Sequence, residues 1–151
     1  MKPARNLAIA CLTSLACLAL PGTLVAHENA KNPAVIKRMD AMEAIGDAMK
    51  VLAGMAKGEL DFDAQKTQAA FAVIAEKGTL VPALFEAEET DPVTEALPAI
   101  WKNWDDFVQK SDAMVSAARS VGTVTDQSAL GGALGQVGAT CKGCHKDYRK
   151  K

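Results

Sequence analysis

The clearest pattern in the chain after residue 32 is the recurrence of apolar residues at every third or fourth position, with polar residues between them. This is the period of an amphipathic α-helix, whereas a half-buried strand would alternate apolar and polar residues one by one. Four segments show the helical period, at about 33–57, 63–75, 97–120 and from about 126 towards the C-terminus. Four helices joined by short connections predict an all-α, antiparallel four-helix bundle.

The first predicted helix has the best defined ends. Asn32 is a good N-cap, Pro33 suits the first helical position and Gly58 is a plausible C-cap. The apolar stripe that we expect to face the core consists of Val35, Met39, Met42, Gly46, Met49, Ala53 and Ala56, widened by Ile45 and Leu52.

The other three predicted helices are less regular. In the second, Gly78 and Pro82 are expected to interrupt the helix, and residues 86–94 are interpreted as an acidic surface loop. The third begins near Pro98, and the fourth begins at Thr125 or Asp126. The predicted buried side of the third helix comprises Ile100, Trp104, Phe107, Val108, Met114 and Val115. That of the fourth comprises Leu130, Leu134, Val137, Cys141, Cys144 and Tyr148.

Residues 1–26 are typical of a secretory signal peptide. Lys2 and Arg5 give it a basic start, and the apolar run at 7–20 is shorter than a transmembrane helix. A lipoprotein signal at Cys17 is disfavoured because Ser14, rather than leucine, precedes it by three positions. Cleavage near Ala26 predicts an exported, periplasmic domain of residues 27–151 without a further membrane span.

Cleavage would change both the cysteine count and the charge. Two of the four cysteines would remain, which excludes a framework of several disulfides although export favours disulfide formation. Loss of two basic residues from 17 leaves 15 against 18 acidic residues, a net charge of −3. Such a domain shows no basic signature of nucleic-acid binding. It also shows no combination of acid, base and nucleophile that indicates an enzyme.

The motif with the most chemical content is Cys141-Lys142-Gly143-Cys144-His145, close to the C-terminus. A Cys-x-x-Cys-His run is the attachment sequence of a c-type haem. Cysteines on one helical turn can form thioethers with both vinyl groups of one porphyrin, and the histidine that follows can coordinate the iron. A structural zinc site would need four ligands, and a thioredoxin-like pair would open a helix after a strand. The motif therefore predicts one covalent haem c.

The predicted fourth helix is also rich in glycine. Each glycine costs about 1 kcal/mol relative to alanine in a helix interior. These residues could allow the helix backbone to approach a flat haem, or they could fit a contact between helices, and the sequence favours neither interpretation. They are Gly131, Gly132, Gly135, Gly138 and Gly143.

A Cys-Lys-Gly-Cys-His-Lys-Asp-Tyr-Arg segment on the last helix of a four-helix bundle resembles the class II cytochromes c, the cytochrome c′ family. Two further segments resemble this family over about residues 32–151. Arg38-Met39-Asp40-Ala41-Met42 is similar to its first-helix motif, and the aromatic run from Ile100 to Phe107 is similar to its third helix.

The resemblance implies roles for individual residues. Cys141 and Cys144 would be the thioether residues, and His145 would be the proximal iron ligand. Arg149 would lie over the proximal face of the haem, and Arg38 would lie beside a haem propionate. The resemblance also implies a homodimer through the first two helices, for which Val51, Met55 and Phe62 are candidates, although the same residues could instead be buried inside the protein.

Met42 distinguishes the two functions that the family resemblance allows. Methionines at helical spacing, such as Met39, Met42 and Met49, are usually core residues, and copper binding would need an exposed patch of soft ligands. The family position of Met42, four residues after Arg38, favours it as the sixth iron ligand. A His/Met iron predicts a one-electron carrier for redox partner proteins. Without the methionine, a five-coordinate iron would bind NO or CO.

Overall fold

The computed structural model of the protein describes residues 29–151. The predicted signal peptide of residues 1–26, with Cys11 and Cys17, lies outside the described residues, and so does His27. The described chain contains helices α1 (Pro33–Lys57), α2 (Ala64–Phe85), α3 (Ala99–Lys102), α4 (Trp104–Ser120) and α5 (Gln127–Tyr148). Helix α1 packs against α2 and α5, and α4 packs against the same two helices. The four long helices therefore close around a shared core, and the predicted all-α four-helix bundle is confirmed. None of the helices among these residues is both long and apolar enough to cross a membrane.

Local chemistry fixes the ends of the long helices. The side chain of Asn32 accepts a hydrogen bond from the Ala34 N–H at 2.9 Å, and Pro33 occupies the first turn. Gly58 ends α1 with a φ of 76°, a left-handed conformation that favours glycine. Asp126 caps α5 by accepting from the Ala129 N–H at 2.9 Å. These predicted caps are confirmed.

The predicted interruption of the second helix at Gly78 and Pro82 is wrong, because α2 continues through both residues to Phe85. A proline inside a helix has no N–H for the carbonyl four residues earlier, which here belongs to Gly78. The buried hydroxyl of Ser111 on α4 donates a hydrogen bond to that carbonyl at 3.3 Å. A neighbouring helix thus replaces the missing intrahelical bond.

The predicted third helix is divided into two pieces. Asn103 separates α3 from α4 with φ −128° and ψ 48°, outside the helical region. Its backbone N–H and its side-chain amide both donate to the carbonyl of Ala99, at 3.0 and 3.1 Å. The asparagine therefore ends the short α3 and lets α4 start in a new direction.

The face of α1 that packs in the core differs from the predicted stripe. Val35, Ile45 and Leu52 are buried as expected, but much of the stripe lies beside the core and is half-buried. The half-buried residues are Met39, Met42, Gly46, Met49, Ala53 and Ala56. The buried face instead includes Arg38, Ala41, Ile45, Ala48, Leu52 and Met55.

Burial also changes the set of candidate dimer residues. Only 1% of Met55 is exposed, so this side chain takes the internal position that the sequence left open and is not available for an interface. Phe62 is half-buried, and Val51 is 38% exposed.

The segment between α2 and α3 crosses the end of the bundle and is held from several sides. The carboxylate of Asp91 accepts hydrogen bonds from the backbone N–H groups of Lys31, Asn32 and Val93, at 2.8, 2.9 and 3.1 Å. These bonds join the start of α1 to the segment and lower the pKa of Asp91. The predicted acidic loop at 86–94 is therefore exposed for most of its length but has one buried anchor.

Candidate haem site

A cavity of about 550 Å³ lies inside the bundle, between two clusters of buried apolar side chains. Its volume is within the usual range for small-molecule and cofactor sites. The walls come from all five helices and from the segment before α3. The apolar part of the wall consists of Val35, Ile45, Val81, Phe85, Ile100, Phe107 and Met114.

The three reactive residues of the Cys-x-x-Cys-His motif all line this cavity. They lie in the last two turns of α5, where Cys141 packs against one apolar cluster and Cys144 against the other. Both cysteines are free thiols and are half-buried. The structure therefore places the predicted thioether residues and the predicted proximal ligand in one wall.

The electrostatics of the motif argue against a thioredoxin-like pair and favour the histidine as a metal ligand. Burial raises the pKa of the Cys144 thiol to about 11, and burial also raises the pKa of Cys141. In a thioredoxin-like pair the pKa of the reactive cysteine would be lowered rather than raised, because the thiolate is the reactive form. Burial, followed by the charge of Arg149, lowers the pKa of His145. A lowered pKa favours the neutral imidazole, which has a lone pair for a metal ion.

Helix α1 contributes two methionines to the same cavity. Met42 and Met39 both line it, and Met42 packs against the apolar cluster that also contacts Cys144. Gly46, one turn after Met42, lies in the wall as well. A Cβ atom built on Gly46 would have no heavy atom within 4 Å, so this position leaves the cavity open beside Met42.

Arg38 lines the cavity, but its guanidinium is mostly used by the protein itself. It is 3% exposed and donates to the carbonyls of Leu84, Ala87 and Glu89 at 2.8, 2.6 and 2.8 Å. Its Cζ lies 4.9 Å from the ring centroid of Phe85. Three of its five N–H donors are thus directed at backbone oxygens, which leaves two for another acceptor. Arg38 thus holds the C-terminal end of α2 and the residues just after it, a structural role that the sequence analysis did not predict.

Arg149 is at the end of α5, next to the segment before α3. Its Nε donates to Glu95 Oε2 at 2.6 Å, and Ala96 and Arg149 form an isolated antiparallel bridge. The carbonyl of Tyr148 accepts from the Leu97 N–H at 3.0 Å. These contacts hold the end of α5 at the rim of the cavity.

Sequence reasoning missed several polar groups of the cavity. Lys110 and Ser111 of α4 line it, as does Glu95 from the segment before α3. No motif marks these residues, and only the packing of α4 against α5 brings Lys110 beside Cys144. The phenol of Tyr148, placed only on an apolar side by the sequence, donates to Asp106.

The glycines of α5 do not match either interpretation given above. Gly131, Gly132 and Gly135 are exposed, and a Cβ atom on any of them would meet no other atom within 4 Å. Gly138 alone among them has a neighbour, since its Cβ would lie 3.8 Å from Met49 Cε. Gly143 is likewise exposed and has no atom near its Cβ direction, so four of the five glycines face solvent rather than a helix or the cavity.

The residues present fit a covalent haem. Two thiols, a neutral imidazole and a thioether sulfur share one largely apolar cavity, and a side-chain-free glycine lies in the wall beside the thioether. These are the ligand types that hold haem in c-type cytochromes. When it is bound, a haem supplies one-electron redox chemistry or binding of a diatomic gas at the iron.

The comparisons with known proteins agree with this site. The family model described as "Cytochrome C'" matches residues 33–149. The cytochrome c′ of Rhodopseudomonas palustris is 38% identical over 126 residues, covering 81% of this chain and 85% of that protein. The cytochrome c-556 of Agrobacterium fabrum is 37% identical over 119 residues, covering 78% and 81%.

The fold agrees as well as the sequence. The solved structure of cytochrome c′ from Rhodopseudomonas palustris superposes with a TM-score of 0.75 at 35% identity, and the match covers 80% of this chain and 98% of that one. The match includes the first predicted helix and the haem-attachment motif within a single family region. The chain is therefore a haem-binding member of the cytochrome c′ family, the class II cytochromes c.

Proposed function

We propose that this protein is a periplasmic one-electron carrier whose haem iron is coordinated by His145 and Met42. The observation that carries the proposal is that Met42 and the Cys-x-x-Cys-His motif line the same cavity, although they are about a hundred residues apart in the chain. A protein thioether on the sixth position leaves no open site for a substrate. It also favours Fe(II) and raises the reduction potential.

The environment of Met42 supports this role. Its side chain is half-buried, and the position four residues later is a glycine with no atom near its Cβ direction. A flexible, unbranched side chain in such a place can reach a ligand without disturbing close packing. Met39 lines the same cavity and is the competing ligand, whereas Met49 packs beside Gly138.

The test replaces each methionine in turn by leucine, which nearly conserves volume. We expect oxidised Met42→Leu to change from low spin to high spin, its reduction potential to fall and its reduced form to bind CO. Met39→Leu and Met49→Leu serve as matched controls on the same helix and should behave like the wild type. The measurements are ferric optical and EPR spectra and a redox titration. A low-spin signal that survives in Met42→Leu but disappears in Met39→Leu would assign the ligand to Met39.

A second candidate function is binding of NO or CO at a five-coordinate iron. It is favoured by the apolar wall around the cavity and by the relative named cytochrome c′. A wild-type protein that is already high-spin and that binds CO in its reduced form would select this function and exclude the electron-carrier proposal.

The cell compartment and the assembly are proposed on separate grounds. Export rests on the signal-like residues 1–26, and the mass of the purified holo-protein would show whether cleavage occurs near Ala26. A homodimer through α1 and α2 is supported by two exposed apolar residues, Val51 at 38% and Leu80 at 46%. Sedimentation that finds a monomer at all concentrations would exclude the dimer.

The redox partner is proposed to be a protein with an acidic surface around its own redox centre. Residues 141–151 carry five basic residues against one acidic residue, while the predicted mature chain has a net charge of −3. Lys142 and Lys146, on either side of the motif's last turn, are both exposed. Complementary charge speeds association and makes it dependent on salt. An electron-transfer rate that does not fall with ionic strength would contradict this proposal.

A further inference from the structure

Lys110 on α4 makes two ion pairs and also contacts an aromatic ring. Its Nζ lies 2.6 Å from Asp147 Oδ2 and 3.0 Å from Asp106 Oδ2, so one ammonium joins carboxylates on two helices. The same Nζ is 5.3 Å from the centroid of the Tyr148 ring, and the Tyr148 hydroxyl donates to Asp106. Only 29% of the lysine side chain is exposed. We call these residues, Asp106, Lys110, Asp147 and Tyr148, the Lys110 cluster.

The Lys110 cluster joins α4 to the turn of α5 that carries the haem ligands. Asp147 and Tyr148 follow His145 by two and three positions. One turn before Lys110, Phe107 meets the ring of Tyr148 edge to face, with centroids 5.4 Å apart and planes at 89°. Polar and aromatic contacts thus fix the same helical turn from the same neighbouring helix.

Lys110 also lines the cavity that would hold the haem. Lys110, Cys144 and Tyr148 all line the cavity, and the charge of Lys110 is close enough to act on the Cys144 sulfur. A cation beside a partly buried redox centre favours the state with one positive charge fewer, which for iron is Fe(II). Without the ammonium, the carboxylates of Asp106 and Asp147 would act on the turn of Cys144 without a compensating cation, and they would favour Fe(III).

We propose that Lys110 is a positioning residue that fixes the ligand-bearing turn of α5 against α4 and raises the reduction potential of the haem. The inference rests on haem attachment alone. It does not depend on Met42, because a potential can be measured whether the iron is five- or six-coordinate. A failure of the electron-carrier proposal in the Met42→Leu experiment would therefore leave this one standing.

The test is a redox titration of the holo-protein with Lys110→Met. We expect the Fe(II)/Fe(III) equilibrium to move about threefold to tenfold towards Fe(III), which is a fall of about 30–60 mV at 59 mV per tenfold for one electron. Lys110→Arg keeps the charge and both carboxylate contacts and should restore most of the potential. Lys50→Met is the matched control, because it removes the same charge from an ion-paired lysine on α1 that is 80% exposed, where water and salt screen it.

A second variant, expected to shift the reduction potential in the opposite direction, distinguishes an effect of charge from misfolding. Asp147→Asn removes a negative charge but keeps an oxygen that can accept from Lys110, so its potential should rise above that of the wild type. The proposal is wrong if Lys110→Met shifts the potential no more than Lys50→Met. It is also wrong if Lys110→Met and Asp147→Asn both lower the potential, since that would indicate a loosened site rather than an effect of charge.

Discussion

Gly78, in the middle of α2, allows a sharp prediction because helix propensity and packing oppose each other there. Replacing a glycine in a helix interior by alanine normally stabilises a protein by about 1 kcal/mol. At Gly78, however, the new Cβ would lie 2.8 Å from Val115 Cγ2 and 2.9 Å from Met114 Cε. Real Cβ contacts are not that short, so α2 and α4 would have to separate or Val115 would have to leave its rotamer.

The expected magnitude follows from a comparison with Gly132 on α5. Gly132 is exposed, and a Cβ there would have no neighbour within 4 Å. The gain in propensity is common to both substitutions, so their difference isolates the cost of overpacking, about 1–3 kcal/mol. We expect Gly132→Ala to stabilise the holo-protein by about 1 kcal/mol and Gly78→Ala to change its stability by between about 0 and −2 kcal/mol.

Urea unfolding followed by far-UV circular dichroism would measure both changes, and each kcal/mol should move the melting temperature by about 4 °C. The reasoning is refuted if Gly78→Ala is as stable as Gly132→Ala. Combining Gly78→Ala with Val115→Ala gives a further check. Because the methyl group that clashes is then absent, the double variant should be more stable than the sum of the two single effects.

Two further predictions concern groups that join separate elements. Ser111→Ala removes the donor to the Gly78 carbonyl and should lower stability by about 1–3 kcal/mol in urea unfolding, whereas Ser116→Ala at an exposed position of α4 should have little effect. Asp91→Asn should be less stable than the wild type at pH 7. Since three backbone N–H groups lower the pKa of Asp91, its stabilisation is present above the unfolded carboxyl pKa of about 4 and is lost as the pH falls below it. The two melting temperatures should converge in acid, and a gap that stays constant from pH 7 to pH 3 would contradict this.

The caps and the haem motif could be predicted from the sequence because their chemistry is local. Asn32 and Pro33 begin a helix through bonds within three residues, and Gly58 ends it through its own φ. The Cys-x-x-Cys-His spacing is likewise local, since it places the three side chains within two turns of a single helix.

The continuity of α2 could not be predicted, because the compensating donor comes from another helix. A proline and a glycine four residues apart normally indicate the end of a helix. Here Ser111 is 33 residues away in sequence from the carbonyl that it satisfies. Gly78 itself, which looked like a breaker, is the residue that lets α4 approach closely enough for this hydrogen bond.

The buried face of α1 was misassigned because of one charged residue. An arginine is normally placed on the solvent side of an amphipathic helix. Arg38 is buried nonetheless, because three backbone carbonyls at the end of α2 accept its hydrogen bonds and aromatic rings flank it. Because Arg38 lies on the core face of α1, Met42 lies on the adjacent face of the same helix, which lines the cavity.

Helix α5 has a low intrinsic helix propensity but is held firmly by other elements where the haem is attached. By propensity it is the weakest long helix, since exposed glycines in its first half contribute no packing. Its last two turns, where the haem is attached, are fixed by contacts from outside the helix. Lys110 and Phe107 hold them from α4, and the segment before α3 holds them through Glu95 and through the N–H of Leu97. A cofactor bonded to one turn of a weak helix would move with that helix, and both its potential and its distance from Met42 would vary. The tertiary contacts restrict this motion at the turns that carry the haem ligands. The chemistry of the site therefore depends also on residues outside any recognisable motif, such as Lys110, Phe107 and Glu95.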